Sequence, residues 1–310
     1  MEAIIMTNKS ALIIGGMGMV GRQLTKLCSK EYDEVCVVDL DYKTPKDLPH
    51  GVEYQQADLT FKSNASVVAD FDHIYHLAGK KGSPDTAKNS PADYLPMLQF
   101  DTNVIEAVGR YKPDWFLYTS SIGVYPPMEI YEEDKVWYNV PSDNDKVPGY
   151  IKRMGELSCY SIRATHGYDN ISIVRPANIY GPYDNFGKNS MVIPSLIKKG
   201  VEDDEINVWG DGTPIRDFIY SEDVARGMLH MVKNRHNDTV NLGSGTGVTI
   251  SDIATIVSEY FKKPRIYDSS KPNGDMKRLM SMRRAQELGF APRVKLKDGI
   301  EKTIDWYINL

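Results

Sequence analysis

Three glycines carry the first chemistry in this chain. In "ALIIGGMGMVGRQL", Gly15, Gly18 and Gly21 stand where an apolar run of strand length gives way to a stretch with helical spacing. Glycine at such a junction permits a tight turn, close approach of backbone to a pyrophosphate, and close packing of helix on strand. A glycine triplet alone is a weak signal. Here it follows a strand, opens a helix, and is followed by Asp39 at the end of a second apolar run, "VCVVDL". A carboxylate there accepts hydrogen bonds from the ribose hydroxyls of an adenine nucleotide and repels a 2′-phosphate. No arginine follows it, so these residues predict NAD rather than NADP. Asp58, in "ADLT" at the end of a third run, either meets the adenine or caps a helix.

A second constellation lies in "VPGYIKRMGEL", where Tyr150 precedes Lys152 by two residues. A phenol and an ammonium on one face of a helix can exchange a proton. Two residues apart on a regular helix, they point about 200° away from each other.

The elements that must hold these residues are legible as alternating patterns. Strand-length apolar runs ("ALIIGG", "EVCVVDL", "HIYHLAG", "WFLYTSS") alternate with helical stretches such as "DTNVIEAVGRY". Strands buried on both faces by crossover helices form a parallel, doubly wound sheet. This predicts an α/β fold of Rossmann type over residues 1–175, with residues 220–255 returning to it. Residues 176–219, dense in Pro, Gly, Asn and aromatic side chains, and residues 256–310 predict a smaller substrate-facing α/β domain whose last segment holds two helices. The acidic stretch from Pro126 to Pro148 reads as a long loop without regular structure.

Composition excludes other classes. A net charge of −5 and a pI near 5.7, with only scattered basic doublets, argue against nucleic acid as the partner. Three cysteines without pair spacing suggest neither a disulfide framework nor a zinc site, and the histidines lack metal-ligand spacing. The apolar runs are too short to span a membrane, and "MEAIIMTNKS" lacks the features of a secretion signal, so a cytoplasmic location is expected.

The glycine turn, "HLAG" at 76–79, "TSSIGVYP" at 119–126, "RPANIYGP" at 175–182, "GDGTPIRDFIYSEDVA" at 210–225 and "NLGSG" at 241–245 occur in an order that resembles the extended short-chain dehydrogenase/reductases acting on nucleotide sugars. Within that family, "YGPYDNFGKNSMVIPSL" and "VWGDGTPIRDF" are most similar to GDP-fucose synthase and the GDP-manno-heptose 4-dehydrogenases of capsule synthesis. The resemblance implies an NAD cofactor, a nucleoside-diphosphate sugar as substrate with a GDP-sugar favoured, hydride exchange at C4, and a homo-oligomer. It extends the cofactor site to Met19, Val20, Leu59, Leu77, Ala78, Gly79 and Lys152. Ser121 matches the serine that bonds the reacting oxygen, and Lys152 the lysine that binds the nicotinamide ribose. Asn178, Val192, Arg216 and Arg278 match substrate positions, with Arg278 as the pyrophosphate clamp.

The chain departs from the family at the proton-transfer tyrosine, which belongs four residues before Lys152, where Pro148 stands. Either the site lacks that group or an irregular segment brings in Tyr150, Tyr125, Tyr131 or Tyr138. General-base catalysis is worth about 10²–10⁴-fold, so its loss predicts a weak or unusual catalyst. Ile122 and Gly123 after Ser121 cannot serve the elimination of a 4,6-dehydratase, and Gly123 and Met191 stand where a 3,5-epimerase needs cysteine and histidine. What remains is an NAD-dependent oxidoreductase at C4, read first as oxidising a GDP-sugar such as GDP-D-glycero-D-manno-heptose to its 4-keto form. A 4-epimerase, or a degenerate NAD-binding member, is the alternative.

Overall fold

A computed structural model describes residues 9–40, 48–80, 84–187, 189–271 and 273–310. Residues 1–8, on which the reading of the opening segment rests, lie outside it. Among the described residues no helix is long and apolar enough to cross a membrane.

The central sheet is built from β1 (Ser10–Ile14), β2 (Glu34–Asp39), β3 (Glu53–Gln56), β4 (His73–His76), β5 (Trp115–Thr119), β6 (Ile171–Pro176) and one late strand, β10 (Thr239–Leu242). All seven run parallel in the order β10-β6-β5-β4-β1-β2-β3. Helices α1 (Met19–Cys28), α2 (Pro84–Asn89), α3 (Leu95–Tyr111), α4 (Lys146–His166) and α6 (Ser221–Lys233) belong to this half. The interiors of β1, β2, β4, β5 and β6 are buried on both faces, which is why their sequences are mostly apolar, with Ser172 and Arg175 of β6 the buried polar exceptions among them. From β1 the sheet grows to one side through β2 and to the other through β4. That reversal opens a crevice at the strands' carboxyl ends, where this fold binds its ligands.

The second unit comprises α5 (Val192–Glu202), α7 (Ile250–Phe261) and α9 (Leu296–Ile308), with β7 (Asn178–Tyr180), β8 (Ile206–Trp209), β9 (Ile215–Tyr220), β11 (Gly247–Thr249), β12 (Arg265–Asp268) and β13 (Lys277–Arg278). Two expected boundaries shift. Residues 247–249 pair with β9, and Ile253 and Ala254 of α7 share a core cluster with Leu196 and Ile300, so this stretch packs with the second unit. The short helix α8 (Arg283–Glu287) buries Ala285 in the first unit's core, leaving α9 as the C-terminal helix of the second. The acidic loop is shorter than its composition suggests. Its last residues form the first turn of α4, because Pro148 falls where a helix has no internal acceptor for the N–H it lacks.

His73, at the start of β4, is 2% exposed. Its Nδ1 lies 2.8 Å from the Tyr32 hydroxyl, and its Nε2 is 3.3 Å from Asp114 and 3.4 Å from Lys9. Burial and the Lys9 charge push its pKa down to about 4. Because the folded value lies below that of a free histidine, the unfolded chain takes up this proton first. The stabilisation is complete above pH ~6.5 and is lost as pH falls toward 4, by about 3 kcal/mol. Burial lowers His76 as well, a contribution of the same sign. Urea unfolding between pH 7 and pH 4.5 should show this slope, flattened in His73→Gln. Equal slopes in the two proteins would refute it.

Candidate active site

The glycine turn sits in the crevice. Gly15 has φ +82°, a left-handed conformation, and a Cβ there would lie 2.6 Å from the Ala78 nitrogen. A Cβ on Gly21 would lie 2.3 Å from the Gly15 carbonyl oxygen and 2.6 Å from Gly16 Cα. The turn is therefore closed so tightly that only glycine fits, and Gly18, the N-cap of α1, leaves the following N–H groups of Met19 and Val20 without helical acceptors. Asp39, at the end of β2, accepts from the Met17 and Leu40 amides at 2.9 and 2.7 Å. Its four lone-pair directions leave room for ribose hydroxyls as well. Leu77 donates its amide to Ile14 at 2.8 Å, setting Leu77, Ala78 and Gly79 beside the turn. Leu59 is buried, and its carbonyl accepts from Asn103. Asp58 caps its own turn through the Thr60 amide and hydroxyl at 2.9 and 2.7 Å. A cradle that a Cβ would fill, with an acid at its far end, fits a dinucleotide. Gly21→Ala should lower NADH affinity at least about 100-fold, because the added methyl displaces the turn. Fluorescence titration checks this, and near-native affinity would refute it.

Beside this crevice lies Ser121, at the end of β5. It caps a short turn, accepting the Gly123 amide on Oγ at 3.0 Å. Helix α4 packs directly on this turn: a Cβ on Gly149 would lie 2.3 Å from the Gly123 oxygen. Helical periodicity then sorts the α4 side chains. Lys152 points inward and is 6% exposed, whereas Tyr150 points away from the sheet and is 40% exposed. The helix is regular here, so Tyr150 does not reach Lys152. It joins Met154 and Leu157 in an exposed apolar stripe on α4, and the Arg153 guanidinium lies over its ring.

The inward lysine has a different partner. Its Nζ lies 3.2 Å from Asp101 Oδ2, a carboxylate on α3 that also accepts from Tyr118 at 2.6 Å and lies 2.8 Å from His76 Nε2. Burial alone would raise the Asp101 carboxyl. The Lys152 charge and the bonds from His76 and Tyr118 outweigh it and hold it below the usual carboxylate value. Gly155 makes the arrangement possible, since a Cβ there would overlap the Tyr118 hydroxyl at 1.9 Å. Neither Asp101 nor His76 was legible as a site residue. An acid on the buried face of an otherwise apolar helix was the available signal. Behind Ser121, Arg175 on β6 and Glu156 on α4 form a buried two-pronged ion pair at 2.8 and 2.7 Å, which Ser120 joins through its hydroxyl.

Across the crevice mouth, Arg278 is held between Asp145 and Asp275, and Arg216 lies next to it. Burial, and then the neighbouring Arg278 charge, lower the Arg216 guanidinium from its ordinary value. Buried Arg278 and half-buried Arg216, side by side on paired strands, suit two phosphates. Val192 opens α5, while Asn178 donates to the Asp217 carbonyl at 2.8 Å and so ties β7 to β9. Of the loop tyrosines, Tyr125 is locked by Arg175 and Asn241 at 2.9 and 2.7 Å and Tyr138 is exposed. Tyr131 stacks on Tyr125 at 4.9 Å, with Arg278 and Asp275 among its charged neighbours.

Residues 11–243 match the model of the NAD dependent epimerase/dehydratase family, and the chain belongs to that family. It is 35% identical over 274 residues to "Probable GDP-L-fucose synthase 1" of Oryza sativa subsp. japonica, covering 82% of each chain. It is 32% identical over 323 aligned positions to "GDP-L-fucose synthase 1" of Arabidopsis thaliana, covering 99% of this chain and 96% of that one. The fold superposes with a TM-score of 0.85 on UDP-glucose 4-epimerase of Thermotoga maritima, at 21% identity and with 97% and 99% of the two chains covered.

Proposed function

We propose that this protein binds NAD in the Gly15–Gly21 turn and acts at C4 of a nucleoside-diphosphate sugar, a GDP-sugar by preference, with the hydride taken up and returned at that carbon. The observation that carries the reading is Lys152. It is a buried ammonium on the inner face of α4, in the helix that packs on the Ser121 turn beside the dinucleotide crevice. When bound, NAD supplies hydride acceptance at its nicotinamide ring. Ser121 would bond the C4 oxygen, Lys152 the nicotinamide ribose, and Arg216 and Arg278 the diphosphate. The names of the relatives, synthases and a 4-epimerase, support reversible exchange over net dehydrogenation.

Purified protein with GDP-mannose, GDP-manno-heptose or UDP-glucose and NAD(H) should give a 4-keto sugar or a C4 epimer by NMR, or isotope exchange at C4. Tight NAD(H) binding with no sugar-dependent change would refute it in favour of a non-catalytic binder. Net oxidation of GDP-D-glycero-D-manno-heptose is the second reading, favoured by Asp39, which suits NAD over NADP. Accumulating NADH would decide for it.

We assign the apolar stripe of Tyr150, Met154 and Leu157 on α4, continued on α3 by the exposed Leu95 and Leu98, to pairing with a second copy. Sedimentation should show the mass falling to that of one chain in Met154→Glu.

A further inference from the structure

Oxidation of a hydroxyl releases a proton, and neither Pro148 nor the outward-facing Tyr150 can accept it. We propose that Asp145 is the acceptor. This inference rests on the C4 reading above. Asp145 is the N-cap of α4, seven residues before Lys152. A Cβ built on Gly123 would lie 3.3 Å from both Cβ and Cγ of Asp145 and 3.4 Å from Ser121 Oγ. The carboxylate and the serine hydroxyl therefore flank one small volume, kept open because residue 123 has no side chain.

The Asp145 side chain makes no capping bond to its own helix, although that is the usual work of an aspartate at this position. It turns instead to Arg278 and is 26% exposed. The competing groups are otherwise engaged. Lys152 is an ammonium tied inward to Asp101, and Tyr125 is locked by Arg175 and Asn241. Tyr131 borders the same charged cluster and is the remaining rival.

In the proposed step the O–H bond of the C4 hydroxyl breaks and its proton passes to an Asp145 carboxylate oxygen. The C4–H electron pair leaves as hydride to bound NAD⁺, and the C4=O double bond forms. Reduction runs the same path backward. Arg278 connects this step to binding, because a diphosphate that engages the guanidinium draws it away from Asp145 and turns the carboxylate toward the sugar.

The test is single-turnover NADH formation with the sugar that the wild type oxidises. Asp145→Ala should lower that rate about 10²–10⁴-fold with NAD⁺ affinity unchanged, and added formate should restore part of it. Asp145→Asn, which keeps the shape and the bond to Arg278, should be as slow, which separates proton transfer from structural support. Wild-type rates in both variants, no rescue by formate, or a loss confined to Tyr131→Phe would overturn the assignment. Absence of hydride transfer from every sugar in the wild type would instead refute the C4 reading, and this inference with it.

Discussion

Asp101→Ala is expected to abolish sugar-dependent hydride transfer and to destabilise the protein by about 3–5 kcal/mol, the cost of leaving a buried charge without its partner. The charge left behind is the Lys152 ammonium, whose ion-pair partner among the described residues is Asp101, and Tyr118 and His76 lose their shared acceptor at the same time. Asp101→Asn separates the two effects. It retains the volume and can still meet Tyr118 and His76 but leaves the Lys152 ammonium unpaired, so part of the stability should return while NAD affinity and rate still fall together. The wild-type pair also has a pH signature. The carboxyl titrates below its unfolded value, so its stabilisation is present above pH ~4 and is lost as acid drives the pH down through the folded value. Denaturant titrations of both variants, paired with NADH binding, check this. An Asp101→Ala protein as stable and as active as wild type would show that Lys152 needs no internal counter-ion.

Glu156→Ala should be nearly as severe. Arg175 is 1% exposed, and both of its carboxylate contacts come from Glu156, which is 0% exposed. Truncation strands a guanidinium in the core, at a cost again of about 3–5 kcal/mol. Replacing both partners by apolar residues, as in Glu156→Leu with Arg175→Met, should recover most of that stability, since the pair is costly to break yet contributes little net of its desolvation. Activity should not recover. The same glutamate accepts the Ser120 hydroxyl at 2.5 Å, and Arg175 bonds Tyr125 and the Glu133 carbonyl, so the network fixes the turn that presents Ser121. A double variant that is stable and fully active would refute the positioning role. Circular dichroism melts and steady-state rates on the four proteins of the cycle give the answer.

Which of these features a reader of the sequence could see follows the range of the interaction. The glycine turn is local: a strand, three glycines and an acid within about thirty residues specify it, and in the fold Gly21 packs on Gly15 while Asp39 accepts the Met17 amide of the same turn. The orientation of Tyr150 is local too, because helical periodicity alone sets it about 200° from Lys152. The helix also had to begin before Pro148, and a proline is compatible with the first turn, where no internal acceptor awaits its missing donor.

The partners of those residues were not legible, because they are distant in the chain. Asp101 and Lys152 are 51 positions apart, and Asp145 and Arg278 are 133 apart. Burial in a parallel sheet decided the first pairing: α3 and α4 cover the same face of the sheet, and a charge placed there must find its opposite or lose it. Pairing of β13 with β9 in the second unit decided the other, bringing Arg278 to the start of α4. The sequence by itself determined that this chain grips a dinucleotide and that a proline stands four residues before Lys152, where the resemblance places a proton-transfer tyrosine. Only the tertiary structure decided which carboxylates surround Ser121 and Lys152, since local propensity sets where a backbone turns and long-range packing sets which charges meet.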